Sequence, residues 1–508
     1  MGDDELTGQQ GHRDGSVAVA GPVPQQRPRA AQSALPSVEQ LRRHTREERM
    51  LIGRAARQRV PHEAHVGWKP APGRPDPVAL IEWQAATRLP DLVPIRHGRM
   101  AVSPFAFYRG GALVMAADLA STPDSGIVAQ LCGDAHLNNF GLFASPERQM
   151  LFDINDFDET LPGPWEWDVK RLAASFEVAG RELGFGAADR REVVLSSVRA
   201  YRREMREASQ MGVLETWYSK LTADDVLAVV AEEARAHRLS RDEAKAARKV
   251  VKKARSRVHR RSFDRLVRVV NGELRIAPSG PLVVPIDDLV PPGTRRRDTE
   301  EWVIQLLDSY RESLADAWHP LEEFRYVDSA RKVVGVGSVG TRCWIDLLVG
   351  RDMGNPLFLQ TKEAPPSVLE PFLGASAFDN CGQRVVAGQR IMQAASDIFL
   401  GWLRAEDLDG QMCDYYVRQL HDWKGAVEVE NMRVGGAILY ARLCGSTLAR
   451  AHARACDRVA VAAYLGKGDT FDQAIADFAR AYADQNERDY KAFAKAIASG
   501  RLEAQMGL

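Results

Sequence analysis

The segment Val333-Val334-Gly335-Val336-Gly337-Ser338-Val339-Gly340-Thr341-Arg342 constrains the fold more than any other. It satisfies G-x-G-x-x-G, a pattern whose meaning depends on the element after it. A dinucleotide-binding glycine loop must open into a helix. Here an apolar run, Cys343 to Val349 (CWIDLLV), comes next and predicts a strand. A turn, Arg351 to Pro356, leads to a further predicted strand, Leu357 to Ala364, which carries Lys362. Strand, glycine loop, strand, turn and strand with a lysine make a small antiparallel lobe. Its glycines let the backbone approach phosphates closely, and Lys362 supplies a positive charge. The bland alternative is a glycine-rich hairpin with a surface lysine.

The order continues with a predicted helix from about Cys381 to Ala395, a strand at Asp397 to Trp402 and another at Asp414 to Leu420, with helices from near Gly435. Gln419, at the end of the last strand where a hinge would come, joins Gly335, Gly337, Ser338, Gly340 and Lys362 as a nucleotide-binding candidate. The 381–395 helix contains no acid to pair with Lys362. Glu370, just before it, is the nearest candidate, and Glu363 would point to the opposite face of its strand.

A second constellation lies about 200 residues earlier. A predicted helix, Phe105 to Ala120, and a short strand, Ile127 to Leu131, precede Cys132-Gly133-Asp134-Ala135-His136-Leu137-Asn138-Asn139. A strand at Gln149 to Ile154 then leads into Asn155-Asp156-Phe157-Asp158-Glu159. A strand–loop–strand layout brings Asp134, Asn139 and Asp156 to one edge. An Asp can accept a hydroxyl proton, and Asn and Asp oxygens suit Mg²⁺. A positioned base with metal clamps is the equipment of phosphoryl transfer. His136 is either part of that machinery or a backbone-bonded loop residue. Asp153 and Glu159 read as structural. Asp168 (Trp165-Glu166-Trp167-Asp168) sits in the first turn of a helix from Trp165 to about Leu183, either bracing the acidic loop or capping its own helix.

The chain has 508 residues and balances 68 Lys and Arg against 68 Asp and Glu. The zero hides segregation, because residues 235–268 carry a net charge of +11. Such clustering can bind nucleic acid, but few side chains there, among them His259 and Phe263, offer flat faces for bases, and a solvated helix is the plainer reading. The six Cys show no C-x-x-C spacing, and no stretch of eighteen apolar residues occurs. The polar N-terminus lacks a signal-peptide apolar region, so a cytoplasmic location without membrane contact is expected. Five regions are expected: a disordered tail at 1–40, a helical part carrying the acidic loop at 41–210, a basic helical insertion and Pro-rich linker at 211–325, a β-rich lobe at 326–420, and closing helices at 421–508.

These residues carry two resemblances. FAFYRGGALVMAADLA, LCGDAHLNNFG, FDINDFDETLPGPWEWDVKRLAASF, VVGVGSVGTRCW and LARAHARACD resemble the bacterial "domain of unknown function 2252" family over about residues 45–490, a name that assigns no activity. More distantly, Gly133-Asp134 with Asn139, and Asp156-Phe157-Asp158, are similar to the catalytic loop and metal motif of aminoglycoside and choline kinase-like phosphotransferases, with Cys132 where those enzymes usually have His. That resemblance implies an α+β, two-lobed protein-kinase-like fold. In it Asp134 is the base, Asn139, Asp156 and Asp158 hold metal, Asp168 supports the loop and Lys362 binds phosphate. The acidic loop precedes the glycine loop, the reverse of the kinase order, so the fold would be circularly permuted with large helical insertions. The implied function is an ATP- and Mg²⁺-dependent phosphotransferase acting on an unknown small-molecule or protein acceptor, or a nucleotidyltransferase using the same parts. The alternatives are a pseudokinase-type nucleotide-binding regulator, a nucleic-acid-binding protein working through 235–268, and a metal-dependent hydrolase using the acidic loop alone.

Overall fold

The computed structural model describes residues 43–255, 266–270, 272–291, 293–314, 319–352, 355–420, 425 and 427–508. The expected tail at 1–40 and residues 256–265 of the basic segment lie outside this set. The fold mixes helices with small antiparallel sheets, an α+β arrangement.

The strands in chain order are β1 (Val128–Leu131), β2 (Phe140–Ala144), β3 (Met150–Ile154), β4 (Leu161–Pro164), β5 (Val267–Val270), β6 (Glu273–Ile276), β7 (Val283–Pro285), β8 (Arg325–Lys332), β9 (Cys343–Val349), β10 (Pro356–Glu363), β11 (Gly401–Glu406) and β12 (Met412–Gln419). Among the described residues β7 to β12 form one antiparallel sheet, in the order β11-β12-β10-β9-β8-β7. β1 pairs with β4, β2 with β3 and β5 with β6. Register places Lys362 of β10 directly opposite Tyr416 of β12, so both side chains leave the same face of the sheet.

The largest core joins the helices to β1–β4 and includes Leu131, Phe140, Trp165, Leu172, Val198, Tyr440 and Leu448. Helix Glu166–Glu182 is buried on nearly all sides, which its run of Ala, Val, Leu and Phe allows. A smaller apolar cluster on one face of the large sheet takes Val303 and Tyr310 from helix Arg296–Arg311, with Leu348, Leu359 and Val417.

Several predicted boundaries move. The helix expected over 105–120 is two helices, Pro104–Gly110 and Ala112–Leu119, because the Gly110-Gly111 pair lets the chain turn. The strand expected at 397–402 starts at Gly401, because the Asp397 carboxylate accepts the Phe399 N–H and holds a turn before it. The stretch read as a Pro-rich linker supplies β7 to the large sheet. Of the basic segment, Arg241–Arg255 is an amphipathic helix that buries Ala244, Val251 and Ala254. Its charges meet acids, as in Arg255–Asp224 at 2.7 Å.

Candidate functional site

The acidic loop leaves β1 at Cys132. Gly133 adopts φ +83, and a Cβ there would lie 2.2 Å from the Glu159 carbonyl oxygen, so the loop closes on the acidic turn only with glycine. Asp168 grips the loop from below. Its carboxylate accepts the N–H groups of Cys132 at 2.8 Å and Gly133 at 3.1 Å, and lies 3.2 Å from His452 Nε2. Asp168 is 1% exposed, so Asp168→Ala strands buried donors. The variant is expected to lose about 3 kcal/mol of unfolding free energy in urea denaturation. A loss within error of zero would show that the loop is held otherwise.

Asp134 is held from one side by Arg171, whose Nε lies 2.6 Å from Oδ1 and whose guanidinium stacks 4.5 Å from the Tyr108 ring centroid. The other carboxylate oxygen is 3.7 Å from His136 Nε2. Burial pushes the His136 imidazole down to about 3, so the ring is neutral at physiological pH, and its Nδ1 is buried without a partner among the described residues. Asn139 donates its amide to the Asp134 carbonyl at 2.7 Å, which leaves Oδ1 as the atom for a ligand.

The second acidic motif turns tightly, with the Asp158 N–H donating to Asp156 Oδ1 at 3.2 Å. Burial and the neighbouring Asp158 charge push the Asp156 carboxyl up. Asp158 forms an ion pair with Lys362, 204 residues away in sequence. It also accepts the Tyr416 hydroxyl at 2.7 Å and the Ser338 hydroxyl at 3.2 Å. Burial opposes charge on Asp158, but Lys362 and Tyr416 outweigh it and hold the carboxyl well below the usual range. Lys362 is held above its ordinary value, its burial outweighed by Asp158.

The acid that Lys362 lacks on the following helix is therefore supplied by Asp158, not by Glu370. Glu370 instead accepts the Ser367 N–H at 3.1 Å and faces Arg384 at 3.9 Å. Glu363 pairs with Arg342 at 3.2 Å. Helix Cys381–Met392 contributes a cation, Arg384, which donates to the carbonyls of Asp158 at 2.9 Å and Thr160 at 2.8 Å.

A cavity of about 520 Å³ collects these parts. Asp134, His136, Asn139, Asp156 and Asp158 line one wall, and Gly335, Gly337 and Ser338 line another. The glycine loop is fixed by its carbonyls: Arg99 donates to Gly335 O, Arg88 to Val339 O, and the Leu89 N–H to Gly340 O at 2.8 Å. The N–H groups of Val336, Gly337 and Ser338 donate to no acceptor among the described residues. Lys362 stands behind Asp158, and Asp168 lies beneath the loop. Gly340 packs against the Arg88 side chain. Gln419 is not brought to this cavity. It lines a separate one of about 250 Å³ with Asn155, Gln393 and Arg418.

Asp153 accepts the N–H groups of Ile154 and Ala394, each at 2.8 Å, and has no place in the cavity. Glu159, read from the sequence as structural, both accepts the Val368 N–H at 2.8 Å and lines the cavity. Burial pushes its carboxyl up to about 7 from an ordinary value of 4.5. A raised acid pKa means that the folded state holds the proton more tightly than the unfolded chain, so this group's contribution falls as pH rises from 4.5 to about 7. Glu159→Gln removes that fall. Its stability relative to the parent is expected to rise by about 3 kcal/mol between pH 5 and pH 8, as measured by urea denaturation. A pH-independent difference would contradict the assignment.

Residues 88–496 match the bacterial family described as "uncharacterized protein conserved in bacteria", DUF2252. The chain belongs to this family. No curated protein and no solved structure matches the chain. The DUF2252 span begins later than the roughly 45–490 expected from the motifs, and it contains Lys362 and every loop residue named at the cavity. Among the described residues, no helix of this DUF2252 protein is long and apolar enough to cross a membrane.

Sequence patterns alone do not single out Arg171 or Tyr416. Arg171 lies three positions after Asp168 on one helix face, a spacing that could have suggested it. Tyr416 becomes visible only through the register of β10 and β12.

Proposed function

We propose that this DUF2252 protein is an ATP- and Mg²⁺-dependent phosphotransferase, with a two-lobed protein-kinase-like body encoded in circularly permuted order. One observation carries the reading. The glycine loop and the Asp134–Asn139 loop line the same cavity, and Lys362 is tied to Asp158 from behind its wall. A volume of about 520 Å³ falls in the range of small-molecule sites. The permutation is supported by the placing of β1 beside a helix that comes about 300 residues later in the chain. The Gln130 N–H donates to Ala455 O at 3.1 Å, so β1 starts beside the end of helix Val434–Arg454.

The residues fit Mg²⁺. Among the described residues no group of three or more His, Cys, Asp or Glu is placed to hold a metal. Mg²⁺ does not need one, since it is commonly held by one or two carboxylates, waters and substrate phosphates. Asp156, whose charge is disfavoured by burial and by Asp158 and favoured by the nearby Lys362 and Arg418, forms no ion pair of its own among the described residues, and such an ion would supply one. Asp156, Asp158 and Asn139 Oδ1 are the proposed ligands. The ion would neutralise charge on the phosphates.

In the reaction, Asp134 accepts the proton of the acceptor hydroxyl through the oxygen not held by Arg171. That oxygen of the acceptor bonds to the γ-phosphorus, the bond to the β-phosphate oxygen breaks, and ADP leaves. The free N–H groups of the glycine loop hold the transferring phosphates, and neutral His136 keeps the Asp134 edge dry. Labelled phosphate from ATP is expected to appear on an acceptor or on the protein itself, and Asp134→Asn to slow its appearance about a thousandfold while nucleotide still binds. Equal rates for the two proteins would remove Asp134 from the chemistry. A second reading, nucleotide binding without transfer, is favoured by one contact: Lys362 and Asp158 neutralise each other. Nucleotide-dependent stabilisation without any transfer would select it.

A further inference from the structure

The cavity has a second pole that neither loop explains. Arg88 and Arg109 line it, and Arg96 lies just behind, fully buried, donating to Gln84 Oε1 at 2.7 Å and Gly110 O at 2.9 Å in the cavity wall. Among the described residues none of these three guanidinium groups has a carboxylate within ion-pair distance. Arg88 Nε, Arg96 Nε and Nη1, and Arg109 Nε are buried with no hydrogen-bond partner. The Arg109 side chain makes no hydrogen bond among the described residues.

The nearby acids are already committed. Around Arg88, Glu159 accepts a backbone N–H, Glu363 pairs with Arg342 and Asp158 with Lys362. Around Arg109, Asp134 is held by Arg171, Glu182 accepts the Phe105 N–H at 3.3 Å, and Glu430 is exposed to solvent. Burial pushes Arg88 down to about 10 and lowers Arg109, the cost of charge without a counter-ion. Two half-buried guanidinium groups on the cavity, each with a buried unpartnered Nε and no carboxylate in ion-pair distance among the described residues, call for an anion from outside the chain. The same cavity wall carries the three unsatisfied N–H groups of Val336, Gly337 and Ser338, and Gly337 lies against the Arg109 backbone.

We propose that Arg88 and Arg109, with the glycine-loop amides, form a phosphate-binding subsite at this pole of the cavity. Several positive groups lining one cavity suit a polyanion, a phosphate or pyrophosphate, better than a single carboxylate. The phosphate comes either from the donor nucleotide or from a phosphorylated acceptor. The first source rests on the phosphotransferase reading and the second does not. In either case the arginines supply the charge that Lys362, neutralised by Asp158, does not.

The test is calorimetric titration of the full-length protein with inorganic pyrophosphate, with Mg-ATP and with adenosine, using parent, Arg109→Gln and Arg88→Gln proteins. Because Arg88 also holds Val339 O, Arg109→Gln, which removes no internal hydrogen bond, decides the matter if Arg88→Gln is unstable. Pyrophosphate is expected to bind saturably and adenosine far more weakly. Each substitution should weaken pyrophosphate about tenfold, the loss of one charge-assisted contact. An equal loss for Mg-ATP assigns the subsite to the donor nucleotide. A loss for pyrophosphate alone, with Mg-ATP unchanged or not bound, assigns it to a phosphorylated acceptor. Saturable Mg-ATP binding unaffected by either substitution, together with no saturable pyrophosphate binding, overturns the subsite and leaves the nucleotide reading standing. No binding of any phosphate compound overturns both.

Discussion

Lys362→Met is expected to lower the unfolding free energy by about 3 kcal/mol. The side chain is 3% exposed and Asp158 22% exposed, so the substitution leaves a largely buried carboxylate with no ion pair among the described residues, held by the Tyr416 and Ser338 hydroxyls with Arg418 nearby. A pair broken on one side costs more than the pair contributes, because the remaining charge stays desolvated. The double variant Lys362→Met, Asp158→Asn removes that stranded charge and is expected to recover much of the loss. A double-mutant cycle in urea separates the two effects. Additive losses would mean that the two groups do not interact in solution. The pair's contribution is present above the unfolded carboxyl value of 3.8 and disappears only at more acidic pH, since Asp158 is held below its ordinary value.

Asp156→Asn should separate stability from ligand binding. Burial and Asp158 already disfavour charge on Asp156, so the neutral side chain should leave the unliganded protein as stable as the parent or more so. At a Mg-ATP concentration one hundred times Kd, bound nucleotide should add about 2.7 kcal/mol to the parent. The variant should lose most of that gain, because the proposed metal has lost a charged ligand. Thermal denaturation with and without Mg-ATP measures both quantities. A variant that is less stable alone but responds fully to Mg-ATP would make Asp156 a structural acid.

The order of strands around the glycine loop was legible in the sequence because apolar runs and turn residues are local signals: β8, loop, β9, turn, β10. The acidic loop was legible for the same reason, as short polar residues between apolar strands. What the chain does with them is tertiary. Glu370 looked the nearest partner for Lys362 by distance along the chain, whereas Asp158, in the turn between β3 and β4, reaches it from 204 residues away. Gln419 came from counting along a predicted strand, and the fold turns it into another cavity. Arg88, in a turn after a helix, and Arg109, on a helix, lie in sequence where nothing local marks two charges as unpaired. Their character depends on where every neighbouring carboxylate is spent.

The central claim is that two stretches far apart in sequence build one nucleotide-binding cavity. Amide hydrogen exchange of the full-length protein, with and without Mg-ATP, tests it most directly. Slowed exchange is expected together in peptides covering 333–342 and in peptides covering 133–141 and 155–159, with that protection lost in Asp156→Asn. Protection in only one of the two stretches, or in neither at saturating nucleotide, would contradict the account.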